Sequence, residues 1–154
     1  FVTEDHAFAI GAWGAYTVDN SYTEFDIYAS YTYKQFTIAI LDYFCPNETV
    51  RFNHLFNFNN KTTRHTLDAV ISYNGTEKFP LSVSASTLFF GDDKNPQTGN
   101  NFYSTYIEAN YKWKISDVLK TDFHVGFTPF EGYYSTKANL VNCGLSVTKN
   151  LKIT

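Results

Sequence analysis

The chain of 154 residues has no methionine and only two cysteines, Cys45 and Cys143. Two cysteines make no disulfide framework, and neither a CxxC nor an HExxH spacing occurs, so no metal or other cofactor is expected. There is no excess of positive charge. Twelve Lys and Arg stand against fifteen Asp and Glu, a formal net charge of −3 without a basic stripe, and nucleic acid is a poor partner for such a chain. No apolar run approaches the roughly 18 residues that a spanning helix needs. The longest, Phe36 to Leu41 and Ala69 to Tyr73, are strand-sized, which excludes a helical membrane protein. No export signal is present either. The barrel reading developed below needs export, so a signal is expected to have been removed.

Aromatic residues are plentiful. Fifteen Phe, twelve Tyr and two Trp make 19% of the chain, more than the interior of one small soluble domain readily buries. Yet the mean hydropathy is only −0.29. A wall that faces lipid on one side and water on the other satisfies both observations, because apolar and polar residues alternate along it.

The alternation is legible. About eight strand-like segments are expected, near 6–16, 23–34, 36–44, 63–74, 80–90, 103–114, 120–130 and 136–149. Their lengths suit tilted membrane-spanning strands. In the second segment Phe25, Ile27, Ala29, Tyr31 and Tyr33 share one face, while Glu24, Asp26, Tyr28 and Ser30 share the other. The fourth sets Leu67, Ala69, Ile71 and Tyr73 against Arg64, Thr66, Asp68 and Ser72. The sixth sets Tyr103, Thr105, Ile107, Ala109, Tyr111 and Trp113 against Tyr106, Glu108, Asn110 and Lys112. In the seventh Phe123, Val125 and Phe127 oppose Asp122 and His124, and in the eighth Val141, Cys143, Leu145 and Val147 oppose Asn142, Gly144 and Ser146. The first and third segments mix small and apolar residues on both faces. Lys34-Gln35 reads as a two-residue hairpin loop, so Tyr33 and Phe36 should share a face, which turns Phe36, Ile38 and Ile40 outward.

Connection lengths alternate too. Lys34-Gln35, Gly75 to Phe79 and Ile115 to Leu119 are short. Cys45 to Thr62 and Gly91 to Phe102 are long, and Thr17 to Tyr22 and Glu131 to Ser135 are moderate. Outer-membrane barrels show this asymmetry, with short periplasmic turns and longer outer loops. Aromatics gather at the two ends. Trp13, Tyr31, Tyr33, Tyr73, Tyr103, Tyr111, Trp113 and Phe127 are expected in interfacial girdles, and Phe130, Tyr133 and Tyr134 also fall at the long-loop ends.

Several stretches resemble the TorF-like outer-membrane porins of Bacteroidetes. They are Tyr103-Ser104-Thr105-Tyr106-Ile107-Glu108, Gly126-Phe127-Thr128-Pro129-Phe130-Glu131 and the closing Leu145 to Thr154. Ile10-Gly11-Ala12-Trp13-Gly14 followed by Glu24-Phe25-Asp26 fits as well. The resemblance runs along most of the chain in the same order. It implies an all-β, antiparallel up-and-down transmembrane barrel in the bacterial outer membrane, in contact with the lipid bilayer and lipopolysaccharide. Two usual features of the family are absent from this sequence, an opening hairpin with a Trp-Arg-Gly type turn and further strands after Lys-Ile-Thr. The native strand number is therefore open, and the resemblance carries over no solute.

The expected inward-facing polar residues are Glu24, Asp26, Arg64, Asp68, Glu108, Lys112, Asp122 and His124. They read as a channel lining or as a plugged interior of mutually paired charges, since eight strands leave a bore that side chains fill. His124 beside Asp122 and near Glu108 invites an acid–base or metal reading. No nucleophile stands at a recognisable spacing, and His6, His54 and His65 are scattered, so the chain reads as a non-enzyme. Cys45 reads as a loop thiol and Cys143 as a small lipid-facing residue. The leading expectation is a passive diffusion channel. The alternative is a non-transporting accessory subunit packed against other outer-membrane proteins. A third reading, a lipocalin-like binder, rests on the Gly-x-Trp match at Gly11-Ala12-Trp13.

Overall fold

The computed structural model describes residues 1–4, 7–19, 21–47, 49, 54–116 and 118–149. Eight strands follow one another: β1 (Phe8–Tyr16), β2 (Thr23–Tyr33), β3 (Phe36–Phe44), β4 (His65–Tyr73), β5 (Leu81–Gly91), β6 (Thr105–Lys114), β7 (Leu119–Thr128) and β8 (Asn139–Lys149). They form one antiparallel sheet in the order β1 to β8, each strand bonded to its neighbours in sequence. The protein is therefore an all-β, up-and-down meander. The sheet is open, since β1 and β8 do not pair with each other. Residues 1–3 lie along the free edge of β1 through Val2 opposite Ala9 and the bond from the Thr3 amide to the Phe8 carbonyl, 2.9 Å. His6 and residues 150–154 lie outside the described residues.

The observed strands fall within two or three residues of the expected segments. The reason is the period of two, which one register slip would invert. Lys34, with φ of 55°, takes the left-handed conformation of the tight hairpin, and Tyr33 pairs with Phe36 as its two-residue loop requires. That pairing phases β3, so Ile38 faces Tyr31 and Ile40 faces Ala29.

Two irregularities adjust the pattern near the long-loop rim. The register of β4 and β5 shifts between Leu67 and Asp68, leaving Phe89 as the extra residue. Gly91 follows with φ of 99°, and a Cβ there would fall 1.8 Å from the His65 carbonyl oxygen, so only glycine fits. The register of β7 and β8 shifts between Gly126 and Phe127. Leu140, not the expected Val141, consequently joins the apolar row opposite Phe127, and Val141 is the bulged residue.

One face carries large apolar side chains in the open. Phe25, Ile27, Tyr31, Phe36, Ile38, Ile40, Ile71, Phe123, Leu145 and Val147 are all exposed on it. Only Phe44 and Leu88 are buried hydrophobic residues among those described. The arrangement is inside-out relative to a water-soluble domain, which hides most of its large apolar side chains.

The polar face is concave and packed in places by large rings over glycines. Tyr106 lies so close over Gly126 that a Cβ there would sit 2.0 Å from its hydroxyl, and Tyr28 covers Gly11 in the same way at 2.4 Å. Trp13 corrects an expectation. It pairs with Asp26, so it sits on the polar face and not in an outer girdle. The cause is local: Ala9, Gly11 and Ala15 flank it with side chains too small to mark a face, while its cross-strand partner decides.

Candidate functional site

All eight expected polar residues share the concave face. Across β6 and β7 Lys112 stands opposite Asp122 and Asn110 opposite His124. Asn110 Nδ2 donates to Asp122 Oδ1 at 2.6 Å, and the Tyr106 hydroxyl donates to Glu108 Oε2 at 2.6 Å. His124 packs over Gly144, not against a carboxylate. The suggested His124, Asp122 and Glu108 constellation is thus spread along the strands. Among the described residues no three His, Cys, Asp or Glu side chains group closely enough to hold a metal ion.

At the long-loop end the concave face borders an open cavity of about 460 Å³. Tyr43 of β3, Thr66 of β4 and Leu88 of β5 form its floor, and Arg64, Asp92 and Tyr134 form its rim. Arg64 is ion-paired with Asp92, and its Nε donates to the Cys45 carbonyl at 3.4 Å. The Tyr22 hydroxyl donates to Glu24. Burial pushes the Asp92 carboxyl up, an effect that the Arg64 charge opposes. Burial likewise raises the Cys45 thiol, and the neighbouring Glu24 and Asp26 charges add to it. Cys45 is therefore a cavity-lining thiol, while Cys143 pairs with Val125 in the apolar row of the opposite face. Both cysteines are free.

The turn at 131–135 roofs this cavity. Ser104, fully buried, donates through Oγ to Asp93 Oδ1 at 2.7 Å and accepts the Tyr133 amide at 2.6 Å. The Ser104 amide bonds the other Asp93 oxygen at 2.8 Å. Gly132 lets the turn approach, since a Cβ there would meet Ser104 Oγ at 2.3 Å. Tyr134 is thereby aimed inward, with its ring 5.3 Å from that of Tyr106 and its hydroxyl toward Ser86. Tyr134 is thus a roof residue on the concave side, a role its place among the rim aromatics does not announce. Deeper, Asp68 is 4% exposed beside Tyr43 and Ser86, and its Oδ1 has no hydrogen-bond partner. Asp26 Oδ1 is buried and unpartnered as well.

Acidic groups on this face gather at one end. Glu24, Asp26, Asp68, Asp92 and Asp93 lie in the long-loop half, with Arg64 paired to Asp92 as the cation among them. Lys112, Lys114 and Lys120 lie toward the short turns, with Asp122 among them. On the apolar face Tyr31, Tyr33, Tyr73, Tyr111 and Trp113 line the short-turn end, and Phe127 sits near the other end. Tyr103 precedes β6 with φ of 57° and is exposed outside the paired register.

One polar pair escaped the sequence reading. Asp42 and His65 both lie on the apolar face, Asp42 opposite Leu67 and His65 opposite Phe44. His65 is 1% exposed, and its Nδ1 lies 2.8 and 2.9 Å from the two Asp42 oxygens. Its Nε2 lies 2.7 Å from the Leu55 carbonyl oxygen. One proton between Nδ1 and Asp42 and one on Nε2 satisfy this geometry, whichever atom of the first pair holds its proton. The signal was in the phase: continuing the Phe36, Ile38, Ile40 row by two residues reaches Asp42, an ionisable group in a row otherwise apolar. No family model, curated protein or solved structure matches the chain.

Proposed function

We propose that the protein is the wall of a bacterial outer-membrane β-barrel whose polar side forms a passive diffusion path for small solutes. The observation that carries this reading is the inversion of burial. Large apolar side chains stand exposed along one face of the whole sheet, while Phe44 and Leu88 are the only hydrophobic side chains buried among the described residues. A monomeric soluble protein rarely exposes a contiguous apolar patch beyond a few hundred Å². Strands of 9 to 11 residues match the hydrocarbon thickness when tilted. Hydrocarbon also demands closure, because an open strand edge leaves backbone groups unbonded there. In the membrane the two edges are therefore joined, directly or through further strands.

The concave face supports a solute path over an apolar ligand calyx. It carries Glu24, Asp26, Asp68, Glu108, Lys112, Asp122 and His124, with a cavity at one end. A lipocalin-type pocket would need the apolar rows on this side. The acidic long-loop half favours cations at that mouth, by the focusing of like charges in a low-dielectric cleft. Tyr134 narrows the same mouth. The test is solute efflux from liposomes containing the purified protein. Small neutral and cationic solutes are expected to leak, faster after Tyr134→Ala. Absence of leakage from both proteins, with folding intact, would overturn the channel and leave a non-transporting subunit.

A further inference from the structure

Part of the long connection between β3 and β4 folds back on the wall. Residues 54–58 fold back against the apolar face and cover Asp42 and His65. His65 is flanked by the rings of Phe58 at 4.3 Å and Phe44 at 4.6 Å. A small cavity of about 160 Å³ remains between this segment and the wall, lined by Phe25, Ile27 and Phe44 on one side and Leu55, Phe56 and Phe58 on the other. Those last three are themselves exposed, Phe56 to 85%.

Asp42 and His65 break an apolar row, and polar groups left against hydrocarbon are costly. The segment removes that cost by supplying the Leu55 carbonyl and the Phe58 ring. Part of the backbone in and after the segment is bonded internally as well. The Asn57 amide bonds the His54 carbonyl at 3.0 Å, Asn57 Nδ2 bonds the Thr62 carbonyl at 3.0 Å, and the Asn59 carbonyl accepts the Thr62 and Thr63 amides at 2.9 and 2.8 Å. Asn57 Oδ1 and Asn59 Oδ1 cap the amides two residues on, the Asx turns for which asparagine is suited. Asn60 Oδ1 ties the segment to the Gly91 amide at 3.0 Å. Backbone set against hydrocarbon needs such internal partners.

We propose that residues 54–58 form a flap lying in the outer boundary of the bilayer, with Leu55, Phe56 and Phe58 seated against lipid acyl chains and the Asp42–His65 pair clasping the flap to the wall. The occupant is lipid because the exposed rings of the flap continue the exposed apolar surface of Phe25 and Ile27 without a polar break. The inference rests on the membrane-wall reading, and its test separates the two.

Trp13 and Trp113 are the only tryptophans. One protein carries Trp13→Phe and keeps Trp113 as the wall reporter. A second carries Trp13→Phe, Trp113→Phe and Phe56→Trp as the flap reporter, a conservative change at an open position. Both are placed in phosphatidylcholine vesicles with lipids spin-labelled near the top of the acyl chain, and iodide is added separately from the water phase. The flap reporter is expected to be quenched by lipid to within a factor of about two of the wall reporter, as for rings buried at an interface. A quenched wall reporter beside a flap reporter reached only by iodide would overturn the flap and leave the wall standing. A flap reporter shielded from both quenchers would place protein on it, which also overturns lipid as the occupant. Failure of lipid to quench either reporter would remove the membrane wall and the flap together.

Discussion

Two connections at the long-loop rim fold in opposite directions. The one before β4 turns outward over the apolar face, anchored on His65. The one between β7 and β8 turns inward over the cavity, anchored on Ser104. Among the described residues His65, Thr128 and Ser104 are the largest fully buried side chains, and all three are polar. Thr128 joins the inward group through its hydroxyl bond to the Phe130 carbonyl at 3.1 Å. Complete burial among these residues thus marks loop anchorage, not an apolar core. The two anchors differ in kind. The outward one is an ionisable pair set against apolar surroundings, and the inward one is a serine shared between a carboxylate and a backbone amide. Removing half of the first should cost more than removing the second.

The largest effect is expected at His65. His65→Ala leaves Asp42 buried without its partner and should destabilise the protein by about 3–5 kcal/mol. Replacing both residues with apolar ones, Asp42→Leu with His65→Phe, should restore most of that loss, because no charge is then stranded. Urea unfolding in detergent measures both. A double variant as weak as the single one would break the comparison, since the cost would then lie in packing alone. Next comes Ser104→Ala, which strands one Asp93 oxygen and the Tyr133 amide and should cost about 1–3 kcal/mol in the same assay. Solute efflux should rise with it as the Tyr134 roof loosens, whereas the His65 variants should leave efflux through the cavity unchanged.

The smallest effect sharpens the contrast with a connection in which no described residue is buried. In the turn at 17–22, bonds from the Ser21 hydroxyl at 2.7 Å and amide at 3.1 Å, helped by Thr17, hold the Asp19 carboxyl down at about 2. A depressed carboxylate stabilises the fold above its unfolded value of 3.8, and that contribution disappears as pH falls through about 2. Asp19→Asn should therefore weaken the protein slightly at neutral pH and not at all at the acid end. Unfolding midpoints of the two proteins along that pH range measure it. A difference that persists below about 2 would assign the effect to lost hydrogen bonds, not to charge.

Strand number, direction and face were legible because each rests on a short-range period. Phe25 to Tyr33 names its own faces, and Lys34-Gln35 transmits that phase to β3. Trp13 was not legible, since its small neighbours carry no phase and its side follows from Asp26 across the sheet. Val141 and Leu140 exchanged places because a bulge adds one residue that no alternation announces.

Alternating side chains were enough to determine an eight-stranded meander with one greasy and one charged face, because consecutive residues of a strand point to opposite sides. Only the tertiary structure decided which loops fold outward and which inward. Asp42 meets His65, and Ser104 meets both Asp93 and Tyr133, through pairings between segments 11 to 29 residues apart. Such meetings depend on register, bulges and the left-handed glycine at Gly91, which are properties of the assembled sheet and not of any one strand.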